Sequence, residues 1–226
     1  MKKITTIATI AMASFMMMAA PVASFAAESA DETESVTEAV TMERLSFEDA
    51  VAIATDAAGL SAEDVTFSKK MQTFEDGVRV YEIEFMIPGE TRYEFTINAK
   101  TGDIMDQDTE DWEAEDDEEY AGLLAENQNL FDFNAAETQI VVMPAANTVI
   151  EEVAKDRQED LCYYKDGFEY DDGRIIYVFG VMFPQETKFE YKFDMNTGAV
   201  IDNETESWEA EDNAEYRELL EENNLM

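Results

Sequence analysis

The sequence contains no histidine and a single cysteine, Cys162, in 226 residues. The absence of histidine excludes every catalytic site that needs a histidine base, and it excludes zinc or haem ligation by imidazole. One thiol cannot close an internal disulfide, so either the core alone holds the fold or Cys162 pairs with another chain. We predict a half-buried strand position for Cys162, because free cysteine usually behaves as a small apolar residue. Glycine-rich phosphate loops are also missing, and we expect no cofactor.

Basic residues are few. The chain carries 53 acidic and 15 basic side chains, which gives a formal net charge of −38. Nucleic acids and anionic membrane surfaces would repel such a chain, so neither is expected as a partner. The balance suits an exported protein, or one that meets cations or basic partners.

Long apolar runs are missing after the first 20 residues. Residues 1–26 have the pattern of a signal peptide, with two lysines, an uncharged apolar run and small residues before Ala26. A membrane anchor is the less favoured alternative, because the run is short and ends at Pro21. We therefore predict a secreted or cell-envelope protein with no stable membrane anchor after cleavage. The acidic segment 27–42 is predicted to be a flexible leader.

One stretch of the sequence occurs twice. The pairs Asp76-Gly77 and Asp172-Gly173 lie 96 positions apart, and the same offset separates the two copies of Trp-Glu-Ala-Glu-Asp that start at Trp112 and Trp208. This spacing predicts two tandem modules, 43–130 and 138–226. The predicted fold class is α+β. Each module is a helix packed on a three- to four-stranded antiparallel sheet and is followed by an acidic C-terminal helix.

The elements of each module follow from hydrophobic periodicity and turn residues. Ser46 is expected to cap a first helix that ends at Gly59. The matching helix of the second module is predicted to be shorter, with Pro144 in its first turn. The predicted helices are Leu45–Ala58, Ala145–Ala154, Trp112–Asn127 and Trp208–Asn223, the last two capped by Asp111 and Ser207. The predicted strands are Val65–Phe74, Val78–Ile87, Thr91–Asn98, Leu161–Tyr170, Arg174–Phe183 and Thr187–Asp194, with short fourth strands at Ile104 and Val200.

Alternation along the strands predicts one aromatic and apolar sheet face in both modules, which must pack on the first helix. The opposite face differs between the modules. The first module shows Val80, Glu82, Glu84 and Met86 there, and the second shows Ile176, Val178, Gly180 and Met182. We infer that the second module has this face covered, either by the first module or by a partner. Ile176, Val178 and Met182 are the predicted partner-binding residues.

The acidic block Asp106–Glu119 holds ten carboxylates. Clustered hard oxygen ligands suit weak Ca²⁺ binding, but no Asp-rich loop with a closing glutamate is visible, and a solvated acidic surface is the favoured interpretation. A pair of carboxylates for glycoside hydrolysis would need a sizeable cleft, which modules of this size seldom provide. We therefore predict no catalytic residues, no dedicated metal site and no enzymatic activity. Trp112 and Trp208 are expected to pack rather than to stack on a sugar or a peptide.

Several of these motifs together resemble the PepSY domain family. In the first module they are Phe47–Ala58, Asp76-Gly77, Tyr81–Phe85, Tyr93–Ile97 and the turn Asn98–Gly102. In the second module they are Asp172-Gly173, Tyr177–Val181, Phe189–Phe193 and the turn Asp194–Gly198. The resemblance implies small α+β units that act outside the cytoplasmic membrane. The family name refers to propeptides of secreted metalloproteases, so the resemblance also implies an inhibitory or protease-regulating role.

These observations predict a secreted, non-enzymatic protein with tandem PepSY-like modules that binds a protein partner, such as an exported protease. The alternative is an acidic, low-affinity Ca²⁺- or cation-binding envelope protein.

Overall fold

The structure is a computed structural model that describes residues 45–114, 116–126, 128–132, 136–155, 157–210 and 212–222. The predicted signal peptide, residues 1–26, and the predicted leader, residues 27–42, lie outside the described residues.

Helix α1, Phe47–Ala58, begins and ends where its capping residues require. The Asp49 N–H donates to Ser46 Oγ at 3.1 Å, and the Ser46 N–H donates to Asp49 Oδ2 at 3.0 Å. This reciprocal pair satisfies backbone donors of the first turn that have no partner within the helix. Gly59 ends the helix with a φ of 74°, a left-handed conformation that favours glycine. Both predicted caps and the end at Ala58 are confirmed, and the helix begins two residues later than the predicted Leu45.

Four strands follow α1, and four more follow in the second half of the chain. They are β1 Thr66–Glu75, β2 Val78–Ile87, β3 Thr91–Asn98, β4 Ile104–Asp111, β5 Cys162–Asp171, β6 Arg174–Phe183, β7 Thr187–Asp194 and β8 Val200–Ser207. The bounds of β2, β3, β6 and β7 are the predicted ones, and those of β1 and β5 are shifted by one residue. At the first hairpin, Asp76 and Gly77 both have positive φ, as a two-residue turn of this kind requires.

The fourth strands are longer than predicted, and this moves the helices that follow them. β4 and β8 each have eight residues and continue to Asp111 and Ser207, so these two residues end strands and the prediction that they cap helices is wrong. The helices begin about one turn later, as α2, Asp116–Ala125, and α4, Asp212–Glu222. Asp116 Oδ2 accepts the Glu113 N–H at 2.6 Å, and Asp212 Oδ2 accepts the Glu209 N–H at the same distance. The carboxylates therefore cap the chain at the entry to each helix.

All eight strands form one antiparallel sheet in the order β4-β3-β2-β1-β5-β6-β7-β8. The two halves of the chain meet where β1 pairs with β5, from Lys69 opposite Glu169 to Gln72 opposite Asp166. The α+β class is confirmed. The two predicted modules thus share a single sheet, and residues Met42–Met226 form one unit. That each module is a domain in its own right stays a prediction.

The helix of the second half is much longer than predicted. Helix α3 spans Ala136–Ala154, so Pro144 lies inside it and the placement of Pro144 in the first turn is wrong. An internal proline removes one backbone hydrogen bond from the helix. Thr138 before the proline and Val149 after it are both fully buried, and packing on both sides of the proline holds the helix together. The helix therefore begins at Ala136, well before the predicted start at Ala145.

The sheet has two faces, and each is covered by its own pair of helices. On one face, α1 buries Ala50 and Ala54 against the aromatic residues of the first half, and α3 buries Ala145 and Val149 against those of the second half. We call the opposite face the α2/α4 face. There α2 contacts β6, whereas α4 contacts β2 and β5, so each of these helices reaches strands of the other half.

The contact of α4 with the first hairpin generates a prediction. A Cβ atom on Gly77 would collide with Ala214 of α4, whereas a Cβ on Gly173, at the matching turn, would meet nothing within 4 Å. Both glycines have a φ near 78°, so alanine at either position carries similar backbone strain. Gly77→Ala should therefore cost about 1–3 kcal/mol more stability than Gly173→Ala in urea unfolding. Equal losses for the two variants would show that α4 does not rest on this turn.

Candidate functional site

The predicted partner-binding residues lie on the α2/α4 face, and all three are buried. Ile176 is 2% exposed, and Val178 and Met182 are fully buried. Met71 of β1 packs against Ile176 and Val178, and Leu219 of α4 with Tyr164 covers Met182. In this fold the chain itself therefore covers the apolar patch. A role in docking stays a prediction, and for Met182 it would require α4 to leave the sheet.

A small polar cavity lies on the sheet beside these residues, where β1 meets β5. Its volume is about 290 Å³, and its lining residues are Ser68, Lys69, Glu84, Glu169, Tyr170, Asp171 and Lys192. Lys69 Nζ lies 2.7 Å from Glu82 Oε2 and 3.2 Å from Glu84 Oε1. Lys192 Nζ lies 2.9 Å from Glu169 Oε1. Strands from both halves therefore supply paired charges to one site.

The two lysines of this cavity are kept in their charged form and are not suited to proton transfer. Burial alone would lower the pKa of Lys69, but the carboxylates of Glu84 and Glu82 outweigh it and raise the pKa above its usual value. Burial also acts to lower the pKa of Lys192, but the carboxylate of Glu169 outweighs it, and the pKa is raised. Both ammonium groups therefore stay charged at neutral pH. A general base would need a pKa near neutrality, and neither lysine meets that requirement.

Two cations at matching positions tie the helices α2 and α4 to this face. Arg92 of β3 reaches α2, with Nη1 2.7 Å from Glu119 Oε2. Lys188 of β7 reaches α4, with Nζ 3.0 Å from Asp212 Oδ1 and 3.1 Å from Glu215 Oε2. The sequence showed neither link, because the contact depends on where the helices lie on the sheet.

Carboxylates crowd together near the β4 end of the same face. In the register of the sheet, Glu84 is opposite Glu94, and Glu94 is opposite Asp108. Like charges directly opposite one another destabilise a sheet. Burial, followed by the charge of Glu84, raises the pKa of Glu94 above its usual value of 4.5. In the second half, the matching residue Glu190 has a closer cation: Lys165 Nζ lies 2.9 Å from Glu190 Oε2, whereas Arg92 Nε lies 3.9 Å from Glu94 Oε1.

The strands β4 and β8 form the two ends of the sheet, and every residue of both is exposed. Each strand presents three carboxylates to the α2/α4 face: Asp106, Asp108 and Glu110 on β4, and Asp202, Glu204 and Glu206 on β8. Their opposite neighbours differ. Two of the three on β8 are opposite lysines, whereas on β4 only Glu110 is opposite a cation, Arg92. The edge strand β4 therefore carries more uncompensated negative charge than the edge strand β8.

One buried carboxylate, Asp166, was missed because its strand reads as an ordinary alternating pattern. It is 3% exposed and lies opposite Gln72, on the face of the sheet that α1 and α3 cover. Burial, followed by the charge of Asp166 and a hydrogen bond with it, raises the pKa of Tyr177 well above its usual value. The phenol therefore stays protonated, and its contact with Asp166 is part of the core.

The single cysteine lies at a half-buried strand position, as predicted, and the two tryptophans pack as predicted, although both lie before the helices that they were expected to begin. Cys162 is half-buried in β5, and burial, with Asp160 second, raises the pKa of its thiol. Trp112 packs edge-on against Tyr120 at a centroid distance of 5.9 Å, and Trp208 packs against Tyr216 at 6.1 Å. These are packing contacts. A pairing of Cys162 with another chain stays an open alternative.

The described part of the chain contains no group of three or more cysteine or acidic side chains arranged to hold a metal ion. The predicted alternative of weak cation binding through the acidic blocks thus stays a prediction.

The longest of the described helices, α3, has 19 residues, and no described helix meets the length and hydropathy of a membrane span.

Comparison with known proteins bears on the first half of the chain. Residues 44–108 match the family model PepSY, described as peptidase propeptide and YPEB domain. The predicted PepSY resemblance is confirmed for this segment. The match covers less than a third of the chain, from the residues before α1 into β4. That the second half is a second PepSY unit stays a prediction.

No curated protein matches the chain. A crystal structure provisionally described as that of a lipoprotein from Clostridium difficile 630 aligns with 74% of this chain and 98% of its own, with a TM-score of 0.47 and 18% identity. A likeness at that level carries no functional argument.

The crowded carboxylates of the PepSY segment give a prediction that depends on pH. Because the folded pKa of Glu94 lies above its usual value, the native state binds the proton more tightly, and stability falls as pH rises through that pKa. Glu94→Gln should therefore raise the free energy of unfolding at pH 7 by about 0.3 kcal/mol, a modest gain because the side chain is 46% exposed. The gain should disappear below about pH 4, where the carboxyl is neutral.

The matched control is Glu190→Gln in the second half. This change removes the carboxylate beside Lys165 and should lower stability at pH 7. Urea unfolding at several pH values measures both variants. If Glu94→Gln destabilised the protein at pH 7, the carboxylates would not be repelling one another as described.

Proposed function

We propose that this chain is an exported, non-enzymatic protein that binds and restrains an exported protease. The observation that carries the proposal is the match of residues 44–108 to a family described by peptidase propeptides. The predicted signal peptide in residues 1–26 supports export.

The chemistry of the described surface is compatible with binding rather than turnover. The chain has no histidine, and the lysines of the polar cavity are held charged by neighbouring carboxylates. The described surface instead offers the two exposed edge strands β4 and β8 and a large excess of negative charge. Such a surface attracts basic partners and speeds their encounter with the protein.

The experiment is a titration of purified metalloproteases, taken from the culture medium of the producing organism, with this chain lacking residues 1–26. Cleavage of a fluorogenic peptide reports protease activity. We expect a saturable loss of activity at micromolar or lower concentration of the chain, as a specific interface would give. Unchanged protease activity at about 100 µM of the chain would contradict the proposal.

A control must separate inhibition from competition by a second substrate. An acidic chain that is simply digested also slows cleavage of the reporter peptide. Mass spectrometry after incubation should show the chain intact between residues 45 and 222. Progressive digestion that restores protease activity would count against inhibition.

A further inference from the structure

The strand β4 presents an open backbone edge. It ends the sheet on the PepSY side, and among the described residues no strand pairs with its outer side. A strand at the end of a sheet offers a row of N–H and C=O groups that another extended chain can join. At its start, Ile104 and Met105 are 39% and 47% exposed, which adds apolar surface next to this edge.

The side chains of β4 alternate in charge. Asp106, Asp108 and Glu110 are opposite residues of the α2/α4 face, whereas Gln107 and Thr109 between them are opposite Phe95 and Tyr93 of the other face. Within the described part of the chain, none of the three carboxylates forms an ion pair. An added strand places its side chains about 5 Å from those directly opposite. Alternate positions of an incoming strand would therefore meet a negative charge.

We propose that the outer edge of β4 binds an extended polypeptide segment with lysine or arginine at alternate positions, by strand addition. The backbone ladder supplies the attachment, and the cations lie opposite Asp106, Asp108 and Glu110. The uncharged residues between the cations lie beside Gln107 and Thr109.

A hydrogen bond within β4 explains why the incoming strand needs cations. Asp108 Oδ1 accepts the Thr109 N–H at 2.7 Å, so this carboxylate occupies a backbone donor of β4. A cation opposite Asp108 competes for the carboxylate and draws it away from the strand's own backbone. A neutral strand lacks this effect and meets an edge that the carboxylate partly blocks.

Charge selects against a second copy of this chain as the occupant and against β8 as the site. A second copy of this chain would place its own carboxylates opposite those of β4, and two chains of charge −38 repel each other. The other end of the sheet, β8, has the same three-carboxylate pattern, but Lys192 and Lys188 are opposite Asp202 and Glu206. The attraction for a basic strand is therefore stronger at β4.

The inference deepens the proposed function, because it names the surface and the chemistry of the bound segment. Its test uses no protease. Peptide binding can fail while protease inhibition stands, and inhibition can fail while peptide binding stands.

The experiment measures binding of a synthetic peptide with the length of β4, in which lysine alternates with threonine, by calorimetry in 0.15 M salt. The β4 variant carries Asp106→Asn, Asp108→Asn and Glu110→Gln. The matched β8 variant carries Asp202→Asn, Glu204→Gln and Glu206→Gln, so both variants lose the same amount of negative charge. A second peptide has alternate backbone amides N-methylated, which keeps every charge but removes the hydrogen bonds of an added strand.

We expect the β4 variant to weaken peptide binding about tenfold and the β8 variant to leave it nearly unchanged. The N-methylated peptide should lose binding to the unmodified protein, and the unmodified peptide should protect the β4 amides from hydrogen exchange. These last two measurements need no variant. Equal loss in both variants, equal binding of the two peptides, or a Kd weaker than about 1 mM would each overturn the proposal.

Discussion

The pairing of β1 with β5 is the contact on which the remaining architecture depends. It requires glycine at one point, because a Cβ atom on Gly167 would collide with Lys70 O and Met71 Cα of the neighbouring strand. Once the two strands pair, both halves share one pleated surface. The helix that follows each half can then cross onto the strands of the other. The buried position of Ile176 and Val178 against Met71 is a direct result of this pairing.

Electrostatics divides the α2/α4 face into regions with different roles. Near the middle, lysines from both halves are neutralised by neighbouring carboxylates, which keeps a polar cavity compatible with a sheet. Farther out, Arg92 and Lys188 hold α2 and α4 in place. At the ends the carboxylates outnumber the cations. The three carboxylates that β4 and the three that β8 present to this face lie on fully exposed strands, where water screens their charge.

Local sequence signals sufficed for the elements whose ends are defined by turns and caps. Ser46, Gly59 and Asp76-Gly77 set the bounds of α1 and the first hairpin, and alternation identified the aromatic face. The errors arose where distant contacts decide. β4 and β8 contain several acidic residues, which strands usually disfavour, yet pairing with β3 and β7 extends them to Asp111 and Ser207. Likewise, burial of Thr138 and Val149 lets α3 run through Pro144. The sequence predicted that Ile176 and Val178 are covered, by the first module or by a partner. That Met71 of the first half packs on them could not be decided without knowing that the halves share a sheet.

The pairing of β1 with β5 also has a consequence for folding while the chain is being synthesised. The residues of β5 that pair with β1 lie almost a hundred residues downstream. One edge of β1 therefore stays unpaired until β5 has been synthesised. Lys69 and Lys70 belong to this temporarily unpaired edge of β1. Charged residues, lysine above all, are a common guard against pairing with the wrong neighbour. The two lysines, which are half-buried in the folded protein, are therefore suited to keep the unpaired edge of the nascent half from pairing wrongly.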